Sequence, residues 1–182
     1  MKRNTVLLLF LVATLLSAGE AEKSSLPAPS VDRVGFPQGY LEGFQVLRTV
    51  IKTNEQKVVT IYGNKAAASI TNLGQLPYPY GAVIVMETAT GLKDAQGKPV
   101  IDPRGHLQKG DVTGLHVMRR EKDFGQAYGD NRAGEWEFVE YKPKGGYITP
   151  PEQSGSCAEC HLKATAKWDF VYRGRVRDGA NH

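Results

Sequence analysis

GAVIVMET, from Gly81 to Thr88, is the stretch on which the fold class turns, because it is the clearest strand in the chain. The turn Tyr78-Pro79-Tyr80-Gly81 feeds it, and its β-branched residues suit a pleated, half-buried surface. On a period of two, Ala82, Ile84 and Met86 share one face while Val83, Val85 and Glu87 share the other. The first face is wholly apolar and is expected to look into the core. Upstream, KVVTIYGN (Lys57 to Asn64) reads as a strand ended by Gly63 and Asn64, and Asn64 is placed to cap a short helix over Lys65 to Ile70. Before that, YLEGFQVLRTVI (Tyr40 to Ile51) reads as one short turn and then a strand. Downstream, Asp111 to Arg119 is a further strand, and EWEFVEY (Glu135 to Tyr141) alternates strictly, sending Trp136 and Phe138 to one side with Glu140 at their margin. Ala89 to Gly110 reads as a long loop or mobile hairpin, and Glu121 to Asn131 as a turn or short helix. Ala158 to Lys167 reads as a helix and Asp169 to Val176 as a last strand. The expectation is an α+β domain, mainly antiparallel β-sheet, with about six strands, a few short helices and a helix near the C-terminus.

That last helix starts in CAECH, Cys157 to His161, which contains both cysteines of the chain. The spacing is the attachment signature of a c-type haem. Two thiols three residues apart can each add to a vinyl group of one porphyrin, and the adjoining histidine can supply the proximal nitrogen to iron. Two other readings compete. A CxxC thiol redox pair sits at the start of a helix in a βαβ unit, but a loop, Pro150 to Ser156, leads into Cys157. A structural zinc site wants four ligands, and no second Cys or His pair stands at the usual spacing.

The first residues bear on the same question. Lys2 and Arg3 precede the apolar run Thr5 to Leu16, followed by Ser17, Ala18 and Gly19, the pattern of a cleaved signal peptide over residues 1–19. Export would suit haem attachment, which takes place outside the bacterial cytoplasm, and the periplasm is the expected compartment. Removing residues 1–19 takes away two positive charges and no acid, so the formal charge of +4 falls to about +2. Such a balance gives no support for nucleic-acid binding, and no membrane association is expected after cleavage. Residues 20–39 are polar and carry Pro27, Pro29 and Pro37, which suggests an extended leader into a domain over 40–182.

The signal-like start, TIYGN (Thr60 to Asn64), YGAVIVMET (Tyr80 to Thr88), EWEFVEY, CAECH and DFVY (Asp169 to Tyr172) occur in an order that resembles the cytochrome P-460 and cytochrome c'-beta family. The resemblance implies an exported protein with one covalent haem c, a sheet-rich fold, a histidine-ligated iron, an open distal side and a homodimeric state. Members of the P-460 kind oxidise hydroxylamine and handle nitric oxide, whereas c'-beta members bind diatomic gases. The enzymes carry a lysine bonded to the porphyrin where this chain has Met86, and a distal arginine where it has Val59. A distal acid of the family matches Asp169. The two apolar replacements favour a gas-binding or electron-transfer protein over a hydroxylamine- or nitric-oxide-oxidising enzyme.

The candidate site therefore comprises Cys157, Cys160 and His161, with Met86 as a possible sixth iron ligand or a packing residue. No methionine follows His161, so a methionine ligand would be Met86 or Met118. Val59, Trp136, Phe138, Phe170 and Tyr172 are expected to build the core and the walls of the haem pocket. Asp169 and Glu140 are candidate distal carboxylates, and His116 shares a strand face with Met118 and is within possible reach of the haem. Lys65 or Lys93 would be the cross-linking residue if the porphyrin proved to be modified. A redox partner protein and a diatomic ligand such as nitric oxide complete the expected set of partners.

Overall fold

The computed structural model describes residues 26–172; the signal-like segment 1–19 and residues 173–176 of the expected last strand lie outside the described residues. Among the described residues six strands form one antiparallel meander in chain order: β1 (Gln45–Lys52), β2 (Lys57–Gly63), β3 (Val83–Gly91), β4 (Lys109–Arg120), β5 (Trp136–Tyr141) and β6 (Tyr147–Thr149). Three short helices accompany them, α1 (Tyr40–Gly43), α2 (Lys65–Ala68) and α3 (Gly155–Leu162). The mainly antiparallel α+β architecture is the one expected. Sequential neighbours pair throughout, each antiparallel connection returning the chain alongside the strand just laid down, even where, as between β2 and β3, it carries a helix of its own.

Asn64 shows how local chemistry sets one junction. Its Oδ1 accepts from Ala67 N at 2.9 Å, capping α2, and from Val83 N at 3.1 Å, while its Nδ2 donates to Gly81 O at 2.7 Å. One side chain thus satisfies an orphan donor of the helix and the entry of β3 together.

The period-two reading of β3 holds, with a difference. Ala82 and Ile84 are in the core, whereas Met86 on the same face is only half-buried and borders a cavity. The opposite face is also covered. Val85, Leu115, Val117, Val139 and Tyr141 form a second apolar cluster against Val34, Tyr40 and Phe36. Residues 26–39, before α1, have no helix or strand, yet they pack across the back of the sheet. Arg33 pairs with the buried Glu137, and Tyr141 Oη donates to Asp32 Oδ2 at 2.6 Å. Leu26 and Pro27 reach as far as α3, where a Cβ on Gly155 would lie 2.5 Å from Leu26 Cβ and 3.0 Å from Pro27 O. The alternation in EWEFVEY consequently buries both of its faces.

Two expected elements differ. The stretch from Asp169 to Tyr172 is not a strand: Asp169 and Phe170 adopt φ of 49° and 58°, left-handed backbone that breaks extension. The sixth strand is instead β6, whose three residues give too short a pattern to stand out. The expected helix over Ala158 to Lys167 begins at Gly155 and ends at Leu162, followed by a 3-10 turn over Ala166–Trp168. Thr165, with φ 66°, marks the break between them. The expected loop before Cys157 contains a 3-10 turn at Pro151–Gln153, so the first cysteine lies inside the helix rather than ahead of it. Between β3 and β4, bridges Lys93 to Pro99 and Ile101 to Leu107 fold the expected hairpin region back on itself twice.

Candidate haem site

The strand register lays out the floor of the site. Ile61, Met86, His116 and Glu140 stand opposite one another across β2, β3, β4 and β5, forming one row of the same sheet face. Ile84, Met118 and Phe138 form the next row. Together with α3 and the segment ending at Tyr172, these rows enclose a cavity of about 360 Å³. Such a volume lies within the range of cofactor and ligand pockets.

Cys157, Cys160 and His161 all border that cavity. On α3 they are spaced i, i+3 and i+4, which places them on one helical face. Neither thiol is joined in a disulfide, and Cys160 is exposed while Cys157 is half-buried. Burial raises the Cys157 thiol pKa above its ordinary value.

His161 is held from two directions. Its ring lies 4.5 Å from the Phe138 ring at an interplanar angle of 30°. Its Nδ1 is 2.8 Å from Phe170 O, and since a carbonyl only accepts, Nδ1 carries the hydrogen. Nε2 is left with its lone pair, the tautomer an iron ligand requires. Burial, the largest influence, lowers the pKa of this imidazole and so favours the neutral form.

The carbonyl of Phe170 is presented by the left-handed turn that replaced the expected strand. Trp136 Nε1 donates to Asp169 O at 2.9 Å, and Asp169 Oδ2 accepts from Tyr78 N at 2.9 Å with Arg120 Nε 3.6 Å away. Gly134 admits the Phe170 ring, because a Cβ there would come within 2.9 Å of it and the residue has φ 62°. Backbone in such conformations persists only where its surroundings over-determine it, and here four partners do so.

A second anchor ties the start of α3 to the sheet. Phe138 N donates to Tyr128 Oη at 3.2 Å, Tyr128 Oη meets Ser154 Oγ at 2.9 Å, and Ser154 Oγ donates to Pro151 O at 2.6 Å. With Ser154 donating onward, Tyr128 is the donor of the middle bond. Burial pushes the Tyr128 hydroxyl up to about 12, which keeps it protonated. Tyr128→Phe is expected to cost about 1–3 kcal/mol by stranding buried Ser154 and the Phe138 amide. Urea unfolding of the haem-loaded variant measures it, and an unchanged midpoint would refute the anchoring role.

The other residues singled out in the sequence fall in distinct places. Met86, Phe138, Glu140, His116 and Tyr172 border the cavity. Val59 is buried in β2 opposite Thr88, one row beyond Ile61, and is not among the lining residues. Trp136, Asp169 and Phe170 lie behind the site and shape the loop that holds His161. Burial raises the Asp169 pKa, opposed by its bond from Tyr78 and by Arg120. Among the described residues no lysine lines the cavity, Lys65 and Lys93 included. His106 is engaged with Asp102 in the β3–β4 connection, and His182 lies outside the described residues. Ile61, Val171 and the Phe170 carbonyl escaped the sequence reading, since only cross-strand register and a tertiary turn bring them to the site.

Among the described residues no cluster of three or more His, Cys, Asp and Glu side chains is set to hold a metal ion by itself. The donor set present, two thiols and one neutral imidazole on a single helical face over an apolar cavity, fits a haem that brings its own four nitrogens. Fold and site together define a sheet-rich, haem-binding cytochrome. The family model Cytochrome P460 matches residues 37–173, and the chain belongs to that family. No curated protein matches the chain.

Proposed function

We propose that the protein is an exported mono-haem c-type cytochrome that binds a small diatomic ligand, nitric oxide in particular, at an open distal site. One haem would be bonded through thioethers to Cys157 and Cys160 and ligated by His161 Nε2. The bound group would supply the redox-active iron on which a gas or an electron is received. Its attachment requires export, which the signal-like residues 1–19 support, with the periplasm as the destination.

The single observation that carries the reading is the wall bordering the cavity at β3 and its neighbours: Ile61, Ile84, Met86 and Met118 offer apolar groups, and among the described residues no lysine lines the cavity to modify the porphyrin. An apolar wall suits a neutral diatomic, which brings no charge to be desolvated. Glu140, tied by Thr149 Oγ1 at 2.9 Å, is the distal carboxylate that borders this cavity. A homodimer belongs to the same proposal, supported by the exposed Val46 and Leu47 on the edge strand β1. Electron exchange with a partner protein would restore the iron between turnovers.

The ferrous holoprotein is expected to be mainly high-spin and five-coordinate, and to bind carbon monoxide and nitric oxide without displacing a side chain. Optical spectra of wild type and Met86→Ala check it. A low-spin ferrous spectrum that Met86→Ala converts to high-spin would replace this reading with a His/Met electron carrier, the alternative favoured by the half-buried thioether in the cavity. A strongly red-shifted Soret band would instead indicate a modified porphyrin and an oxidoreductase acting on hydroxylamine or nitric oxide.

A further inference from the structure

Arg120, at the end of β4, and Asp169, in the turn after α3, do not border the cavity, yet together they hold the turn on which His161 depends. The backbone of Tyr78 lies between them. Asp169 Oδ2 accepts from Tyr78 N at 2.9 Å, Arg120 Nη1 donates to Tyr78 O, and Arg120 Nη2 donates to Glu135 Oε2 at 3.0 Å. Arg120 Nε is buried, finds no hydrogen bond among the described residues, and faces Asp169 Oδ2 at 3.6 Å, an ion-pair distance. The two side chains are only 11% and 8% exposed, so their attraction is screened far less than that of a surface pair. The Tyr80 ring covers the guanidinium, with its centroid 4.7 Å from Arg120 Cζ. Asp169 is fixed through its main chain as well, since its O accepts from Trp136 Nε1 at 2.9 Å. The next carbonyl in the chain, that of Phe170, is the one 2.8 Å from His161 Nδ1.

We propose that Arg120 and Asp169 are positioning residues for the iron ligand: their clamp on Tyr78 fixes the direction of the Phe170 carbonyl, and that carbonyl sets how strongly His161 donates to iron. The inference rests on the ligation of iron by His161 as read above, and adds to it a device that tunes the centre from outside the cavity. An acceptor on Nδ1–H draws the hydrogen away from the ring and makes Nε2 a better electron donor. Stronger donation favours ferric over ferrous iron and so lowers the reduction potential. The turn also closes locally, through Phe170 N to Thr165 O at 3.0 Å and Val171 N to Trp168 O at 3.1 Å. Those bonds lie inside the segment and move with it. The clamp and Trp136 instead tie the segment to the sheet, whose Phe138 packs on the same imidazole.

Two readouts test this in the holoprotein: resonance Raman of the ferrous form for the iron–His161 stretch, and a spectroelectrochemical titration for the potential. In Arg120→Leu and Asp169→Ala the stretch is expected to move to lower frequency. The ferric-to-ferrous ratio at a fixed poise is expected to fall about tenfold, the low end for losing an outer partner of a metal ligand, which is a rise of about 59 mV in potential. Asp169→Asn keeps an acceptor for Tyr78 N and removes only the charge, so it is expected to shift both readouts in the same direction by less. Val34→Ala opens the apolar cluster on the back of the sheet, remote from the turn, and is expected to cost stability while leaving both readouts at their wild-type values. Unshifted readouts in the Arg120 and Asp169 variants, or an equal shift in Val34→Ala, would overturn the clamp and leave ligation by His161 standing. A wild-type ferrous spectrum without an iron–histidine stretch would overturn that ligation and the clamp together.

Discussion

In the Cys157→Ala/Cys160→Ala double variant all haem is expected to leave on acid–acetone extraction, whereas the wild-type protein is expected to retain one haem by intact mass. The prediction follows from the placement of both thiols and His161 on one face of an eight-residue helix at the cavity edge. The two thioethers would be the covalent link, and without them the group is held only by the His161 bond and by apolar contact. Acid protonates the imidazole and unfolds the cavity, removing both. Each single variant should keep one bond and resist extraction, with a pyridine haemochrome band shifted by the vinyl group left free. Haem that extracts freely from wild type matured in its own export pathway, or that stays in the double variant, would refute attachment at these cysteines.

The largest loss of stability is expected from Trp136→Ala, about 3–5 kcal/mol, the range for removing a fully buried large aromatic side chain. Trp136 is fully buried, its ring lies 5.5 Å from that of Tyr78 in an edge-to-face arrangement, and its Nε1 satisfies Asp169 O. Truncation opens a cavity under the sheet and frees the left-handed turn that holds Phe170 O against His161. Trp136→Phe separates the two effects, since it keeps most of the volume but strands the carbonyl, at about 1–3 kcal/mol. Guanidinium unfolding of the holoproteins measures both. A loss below about 1 kcal/mol in Trp136→Ala would mean that the core repacks around the gap.

Much of this architecture is legible in local pattern. Alternation in GAVIVMET and EWEFVEY reports a sheet because side chains on a strand repeat every two residues, whatever lies beyond. Asn64 could be read as a helix cap since the bond it makes reaches only to Ala67. CAECH is equally local: attachment chemistry needs its three groups within one helical turn and a half. The strand expected over Asp169 to Val176 failed in its described part, Asp169 to Tyr172, for the converse reason. Its residue types favour extension, but Trp136, Tyr78 and Arg120, remote in the chain, hold Asp169 and Phe170 in left-handed backbone. The role of the segment around Val34 was also hidden, because a polar, proline-bearing stretch shows its few apolar residues only when the back of the sheet is there to receive them.

The sequence by itself determined the sheet class, the strand faces and the trio Cys157, Cys160 and His161, all of which rest on interactions within a few residues. Only the tertiary structure decided which residues meet those three. Ile61, Met86, His116 and Glu140 come from four strands and share a row through hydrogen-bond register, and register depends on pairing between segments up to dozens of residues apart. The tautomer of His161 is decided the same way, by a carbonyl nine residues along that a turn folds back onto the helix.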